Sequence, residues 1–138
     1  MFNPGKDLTD IQNRLINDGQ ILEYLGLTDA SDVDKARAIL KRDVWDDLPT
    51  DDRRICIYFR PSSEISNEIL TREILRVDVH VPISEDYVAY DIQTRVVSLI
   101  HKWRSGTRIF HSIGQVGDLA AMPGMYCVGN RFKYYITK

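Results

Sequence analysis

The stretch Arg72–Pro82 reads REILRVDVHVP, and its alternation decides the fold. Successive strand residues point to opposite faces, so Leu75, Val77, Val79 and Val81 share an apolar face while Ile74, Arg76, Asp78 and His80 share the other. Upstream, RICIYFRP (54–61) repeats the pattern: Ile55, Ile57 and Phe59 alternate with Cys56, Tyr58 and Arg60 until Pro61 closes the run. Downstream, in SEDYVAYDIQTRVVSLIHKWR (84–104), Ala89, Ile92, Val96, Leu99, Ile100 and Trp103 recur at helical spacing. Acidic Glu85 and Asp86 open this segment and His101, Lys102 and Arg104 close it, which suits the helix dipole at both ends.

Outward from this centre the first fifty residues read as helical. Thr9 is the expected cap, with Gln12 three residues on and Ile11, Leu15 and Ile16 to one side; Asp18 and Gly19 interrupt, and a second piece ends near Gly26. Ser31 caps a further helix, with Asp34 at the box position and Val33, Ala36 and Leu40 expected to face inward. TRIFHSI (107–113) reads as a third strand, GQVGDLAAMPG (114–124) as turns, and the chain closes with MYCVGNRFKYYITK (125–138). Gly129 and Asn130 allow either a tight hairpin or one bulged strand; the bulged strand is favoured because residues 125–128 are short for a hairpin arm.

The expected fold is α+β: a mostly antiparallel four-stranded sheet (strands near 54–60, 71–81, 107–113 and 124–137) covered by a long amphipathic helix over 86–104, with N-terminal helices over 7–25 and 31–42. Residues 1–138 read as one domain, a helical part over 1–48 and a sheet-plus-helix core over 54–137, since 138 residues at 43% hydrophobic content suffice for one core. The 18 basic and 20 acidic residues are well mixed, which argues against specific nucleic-acid binding. No run approaches the roughly 18 apolar residues of a membrane helix, and the start lacks the pattern of a signal peptide, so a soluble protein made in the cytosol is expected.

Asp78 and His80, two residues apart on one strand face, could pair as carboxylate and base with His111 from another strand, the arrangement a hydrolase or nuclease would use. No GxSxG elbow, Gly-rich phosphate loop or HExxH accompanies them, and the favoured reading is a solvated polar face with no catalytic residue. No metal site is expected, because His80, His101 and His111 lie far apart and neither cysteine has ligand spacing; Cys56 and Cys127 read as reduced core thiols. The acidic DVWDDLPTDD (43–52) reads as a solvated linker. At the C-terminus Phe132, Tyr134 and Ile136 should enter the core, leaving Arg131, Lys133 and Tyr135 outside.

RICIYFRPSSEISNEILTREILRVDVHVP, then AYDIQTRVVSLIHK, then GQVGDLAAMPGMYCVGNRFKYYI resembles the tail-terminator or tail-completion neck proteins of long-tailed bacteriophages and prophage elements, over roughly residues 54–137. The resemblance implies a structural subunit without an active site or cofactor. Such a subunit forms a ring, typically a hexamer, that caps the tail tube, stops its polymerisation and joins the tail to the head-side connector. It also implies assembly in the host cytoplasm, a place in the virion neck, and DNA passing through the ring. Arg76, Asp78, His80, Arg131, Lys133 and Tyr135 are then the candidate subunit or tail-tube contacts, with the loops at 61–68 and 114–124. The alternatives are a small cytosolic binding or regulatory module, or a hydrolase or nuclease using Asp78 and His80.

Overall fold

The computed structural model describes residues 3–42, 45, 48, 52–59, 70–119 and 121–137. The chain opens with α1 (Pro4–Ile16), α2 (Gly19–Leu25) and α3 (Asp32–Ala38), continues through β1 (Ile39–Leu40), β2 (Arg54–Phe59) and β3 (Leu70–Pro82), and turns through a 3-10 segment (Ile83–Glu85) into α4 (Asp86–Ile100). A short hairpin, β4 (Arg104–Ser105) and β5 (Arg108–Ile109), precedes β6 (His111–Leu119) and β7 (Met125–Thr137). Among the described residues the main sheet has five strands in the order β1-β2-β3-β7-β6, and only β1, parallel to β2, breaks an otherwise antiparallel pattern. The α+β class follows from the sequence; the count of four strands does not.

One face of this sheet carries the core. Leu75, Val77 and Val79 of β3 lie beside Ile55 and Ile57 of β2 and Val128 and Phe132 of β7. Above them sit Val88, Ala89, Ile92, Val96 and Ile100 of α4, with Ile11, Leu15 and Ile21 of the first two helices in the same cluster. Full burial of side chains this size stabilises by about 1.5–3 kcal/mol each, an upper estimate for a compact unfolded chain. Gln93 is also buried on α4, where its Nε2 donates to the Gly129 carbonyl and ties the helix to β7.

The helix boundaries differ from expectation for local reasons. α1 begins at Pro4 rather than near Thr9, because Asn3 caps it through the Lys6 amide and proline at the first helical position loses no useful donor. Asp18 starts α2 anew, accepting from the Ile21 amide, and Gly26 (φ 71°) ends it in the left-handed conformation. α3 keeps its Ser31 cap but stops at Ala38, since Ile39 and Leu40 pair with Ile55 and Cys56 instead of continuing the helix. Val33 and Ala36 are consequently exposed, against the expected inward set, and Leu40 is buried as a strand residue.

α4 ends at Ile100, four residues early. Lys102 takes a positive φ of 65°, Gly106 turns the β4–β5 hairpin, and Phe110 is held between the stacked ring of Trp103 (5.6 Å) and Tyr134 (4.8 Å). The expected strand over 107–113 is thereby split, and β6 runs on through residues expected to be turns. β7 is one continuous strand, in unbroken register with β3 from Met125 to Thr137; the irregularities fall in β6, at Ile113 and between Val116 and Leu119. The expected loop at 61–68 lies outside the described residues.

Two ion-paired clusters fasten the helices. Asp7 is buried, accepts from Tyr134 Oη at 2.8 Å and meets Arg108 at 2.8 Å, joining α1, β7 and the hairpin. Burial, followed by the bond to Asp7, pushes the Tyr134 phenol well above its ordinary value. Asp18 meets Arg95 of α4 at 2.6 Å, and this bond is the main reason its carboxyl sits below the usual value. A carboxyl lowered by folding contributes stability that is complete above its unfolded pKa of about 3.9 and disappears as pH falls through the folded value. Asp18→Ala should cost about 1 kcal/mol through the lost cap. In Asp18→Asn, which retains a capping oxygen, the stability deficit measured by urea unfolding should be constant near neutrality, begin to shrink near about pH 4 and vanish only below the lowered folded value. A deficit unchanged at low pH would refute the ion-pair contribution.

Candidate functional site

The other sheet face is not the solvated surface expected. Arg76, Asp78 and His80 are only 6%, 5% and 3% exposed. A second apolar cluster of Leu40, Trp45, Cys56 and Met125 packs on this face, with Leu48 and Met122 at its margin. Trp45 sets its edge on the His80 ring at 5.0 Å and lies under the Arg54 guanidinium at 5.4 Å. The linker reading of DVWDDLPTDD therefore fails at Trp45, a buried anchor; most of that stretch lies outside the described residues.

Three strands build the polar centre beneath this cover. The register places Asp78 of β3 between Cys56 of β2 and Gly129 of β7, and His80 between Arg54 and Cys127. Tyr58 Oη donates to Asp78 Oδ2 at 2.6 Å and Arg76 Nε meets Oδ1 at 2.9 Å, so both carboxylate oxygens are engaged and the buried guanidinium is neutralised. Gly129 is required here: a Cβ at that position would overlap Asp78 Oδ1 and approach Leu119 Cδ1 to 3.1 Å. His80 Nε2 stands 3.6 Å from Cys127 Sγ, and one donor atom each from Asp78, His80 and Cys127 lies within 4.8 Å of the others. Burial, reinforced by the negative Asp78, raises the Cys127 thiol to about 12, so it is neutral at ordinary pH and unsuited to act as a nucleophile by itself.

The arrangement imagined for a hydrolase is not assembled. His80 lies opposite Cys127 and His111 opposite Lys133, a separation of six residues along β7, or about 20 Å. His111 instead packs on His101 at 6.0 Å, and His101 Nδ1 accepts the Ser112 amide at 3.0 Å. Cys56 and Cys127 are buried and outside any disulfide, as expected. A groove of about 390 Å³ lined by Asp10, Asn13, Arg14, Asn17, Leu99 and Trp103 lies at the other layer, apart from the Asp78 centre.

The same face continues outward along β3 and β7. Arg76 stands opposite Arg131, Ile74 opposite Lys133 and Arg72 opposite Tyr135, so the two expected contact sets form one strip that is buried at His80 and emerges at Tyr135, 43% exposed. Lys133 Nζ lies 5.8 Å from the Tyr135 ring, and Arg131 lies over Gly114, where a Cβ would come within 3.1 Å of its Nη2. Phe132 and Tyr134 enter the core as alternation requires. On the outer side of α4, Asp86, Tyr87, Tyr90 and Asp91 are all exposed, and Ile83 precedes them in the same row. Tyr90 reaches across to Tyr126, hydroxyl to hydroxyl at 2.9 Å.

Cys127, Tyr58 and Trp45 were not identifiable as partners of Asp78 and His80 from the sequence. Each is brought there by strand register or by packing from a distant segment, and no local spacing signals either. No protein-family model matches the chain, and no curated protein matches it in sequence.

Proposed function

We propose that the chain is a structural neck subunit of a long-tailed bacteriophage or prophage element, forming a ring that caps the tail tube, ends its polymerisation and joins the tail to the head-side connector. One observation carries the reading beyond the sequence resemblance. The subunit has two unlike surfaces, an exposed acidic aromatic row on α4 (Asp86, Tyr87, Tyr90, Asp91) and, on the opposite side of the sheet, a basic aromatic strip in which Arg131 and Lys133 are half-buried and Tyr135 is exposed. Unlike, complementary patches suit the heterologous contacts that close a ring by rotation, and aromatic residues suit the centre of such contacts. Opposite charges fix the register and choice of neighbour. The partners of this reading are further copies of the chain, the tail-tube protein and the connector, within a virion neck assembled in the host cytoplasm.

Mass measurement of the purified chain, alone and with a tail-tube protein, tests it. A closed ring is expected in at least the second condition, and a chain monomeric in both refutes the reading. Asp86→Lys with Asp91→Lys should weaken assembly at least tenfold, and Arg131→Glu with Lys133→Glu in the same chain should restore it. Charge reversal without effect would remove these two surfaces from the interface.

A further inference from the structure

We propose that Asp78, His80 and Cys127 form a zinc site, at which the metal binds the His80 imidazole, the Cys127 thiolate and a carboxylate oxygen of Asp78. The three donors come from two adjacent strands in register, and their ligand atoms already lie within 4.8 Å of one another. Sulfur, nitrogen and oxygen are the donor set zinc accepts. With Zn–S near 2.3 Å and Zn–N near 2.0–2.1 Å, a tetrahedral ion holds its sulfur and nitrogen ligands about 3.6 Å apart. The Cys127 Sγ to His80 Nε2 distance is 3.6 Å, so this edge needs no adjustment. The widest spacing has to close by about 1 Å, which side-chain rotation supplies.

The surroundings have the features of a built site. Tyr58 and Arg76 fix the Asp78 carboxylate from outside, the role that outer hydrogen bonds play for metal-binding carboxylates, and each oxygen retains a lone pair for a metal. Gly129 gives that carboxylate the space to lie across β7 toward Cys127, and Trp45 orients the His80 ring. Coordination replaces the Cys127 proton, which leaves to solvent; with the Arg76 guanidinium on Asp78 counted, the loaded cluster carries one net positive charge. Three protein ligands leave a fourth position for water. Because the cluster is buried, loading belongs to folding, before the Trp45 cover closes.

The proposal is independent of ring assembly and is tested on the full chain with Co²⁺ as the probe. Chelator-treated protein is titrated with Co²⁺ both when folded and during refolding from urea. One equivalent should produce the near-ultraviolet thiolate-to-cobalt band and the visible bands of tetrahedral cobalt, both bleached by equimolar Zn²⁺. Cys56→Ser should retain the signal, Cys127→Ser should abolish the thiolate band, and His80→Ala should weaken binding at least tenfold. Zn²⁺ should raise the melting temperature of the wild-type chain and of Cys56→Ser but not of Cys127→Ser, a readout that each folded variant provides by itself. Failure of wild-type protein to develop the thiolate band by either route overturns the site, as does a band that persists in Cys127→Ser and vanishes in Cys56→Ser.

Discussion

Asp78→Ala is expected to lower the unfolding free energy by about 3–5 kcal/mol, because it leaves the buried Arg76 guanidinium without its carboxylate. Arg76 cannot relax toward Arg131, its like-charged neighbour across β7, and Tyr58 loses the acceptor it holds at 2.6 Å. The measurement is urea unfolding of the metal-free chain, in which the midpoint should fall without a change in the slope. Replacing both members, Asp78→Ala with Arg76→Met, should recover part of the loss, since the cost comes from the stranded charge rather than from a strongly stabilising pair. A single variant within about 0.5 kcal/mol of wild type would show that the face is solvated after all.

Gly129→Ala should cost about 3 kcal/mol, an unusual penalty for one methyl group. The added Cβ overlaps Asp78 Oδ1 and stands 3.1 Å from Leu119 Cδ1, and the carboxylate cannot retreat without leaving both Tyr58 and Arg76. The effect is steric, so it should depend on what lies opposite. With Asp78→Ala already present, the same change should cost about 1 kcal/mol or less, a coupling of the size contacting residues show. Strict additivity of the two substitutions would refute the contact.

The division between what was legible and what was not runs through β3 itself. Its apolar residues announced their face because a period of two admits a single strand reading, and the helix over Ala89, Ile92 and Val96 announced its partner in the same way. Arg76, Asp78 and His80 followed by parity, but parity states only that they share a face. Whether that face meets water depends on a cover drawn from elsewhere, Trp45 in an acidic stretch and Met125 at the start of β7. Gln93 was unreadable for a similar reason: a glutamine on a helix looks solvated until a strand carbonyl, here that of Gly129, lies beneath it.

The boundaries that moved show the same competition between local and distant terms. Ile39 and Leu40 continue a helical spacing, yet pairing with Ile55 and Cys56 takes them into the sheet. Phe110 continues a strand pattern, yet the space between Trp103 and Tyr134 takes it into the core. Local propensities differ by less than a kilocalorie per mole for most residues, whereas burying a large side chain is worth about 1.5–3 kcal/mol, so the distant term prevails.

By itself, then, the sequence determined the α+β class, the apolar face of REILRVDVHVP and the long helix that covers it, since each depends on a repeat read within a dozen residues. Tertiary structure alone decided that Asp78, His80 and Cys127 meet beneath Trp45. That meeting requires β3 and β7 to pair in one register over thirteen residues, and a slip of a single residue would carry every side chain of one strand to the opposite face.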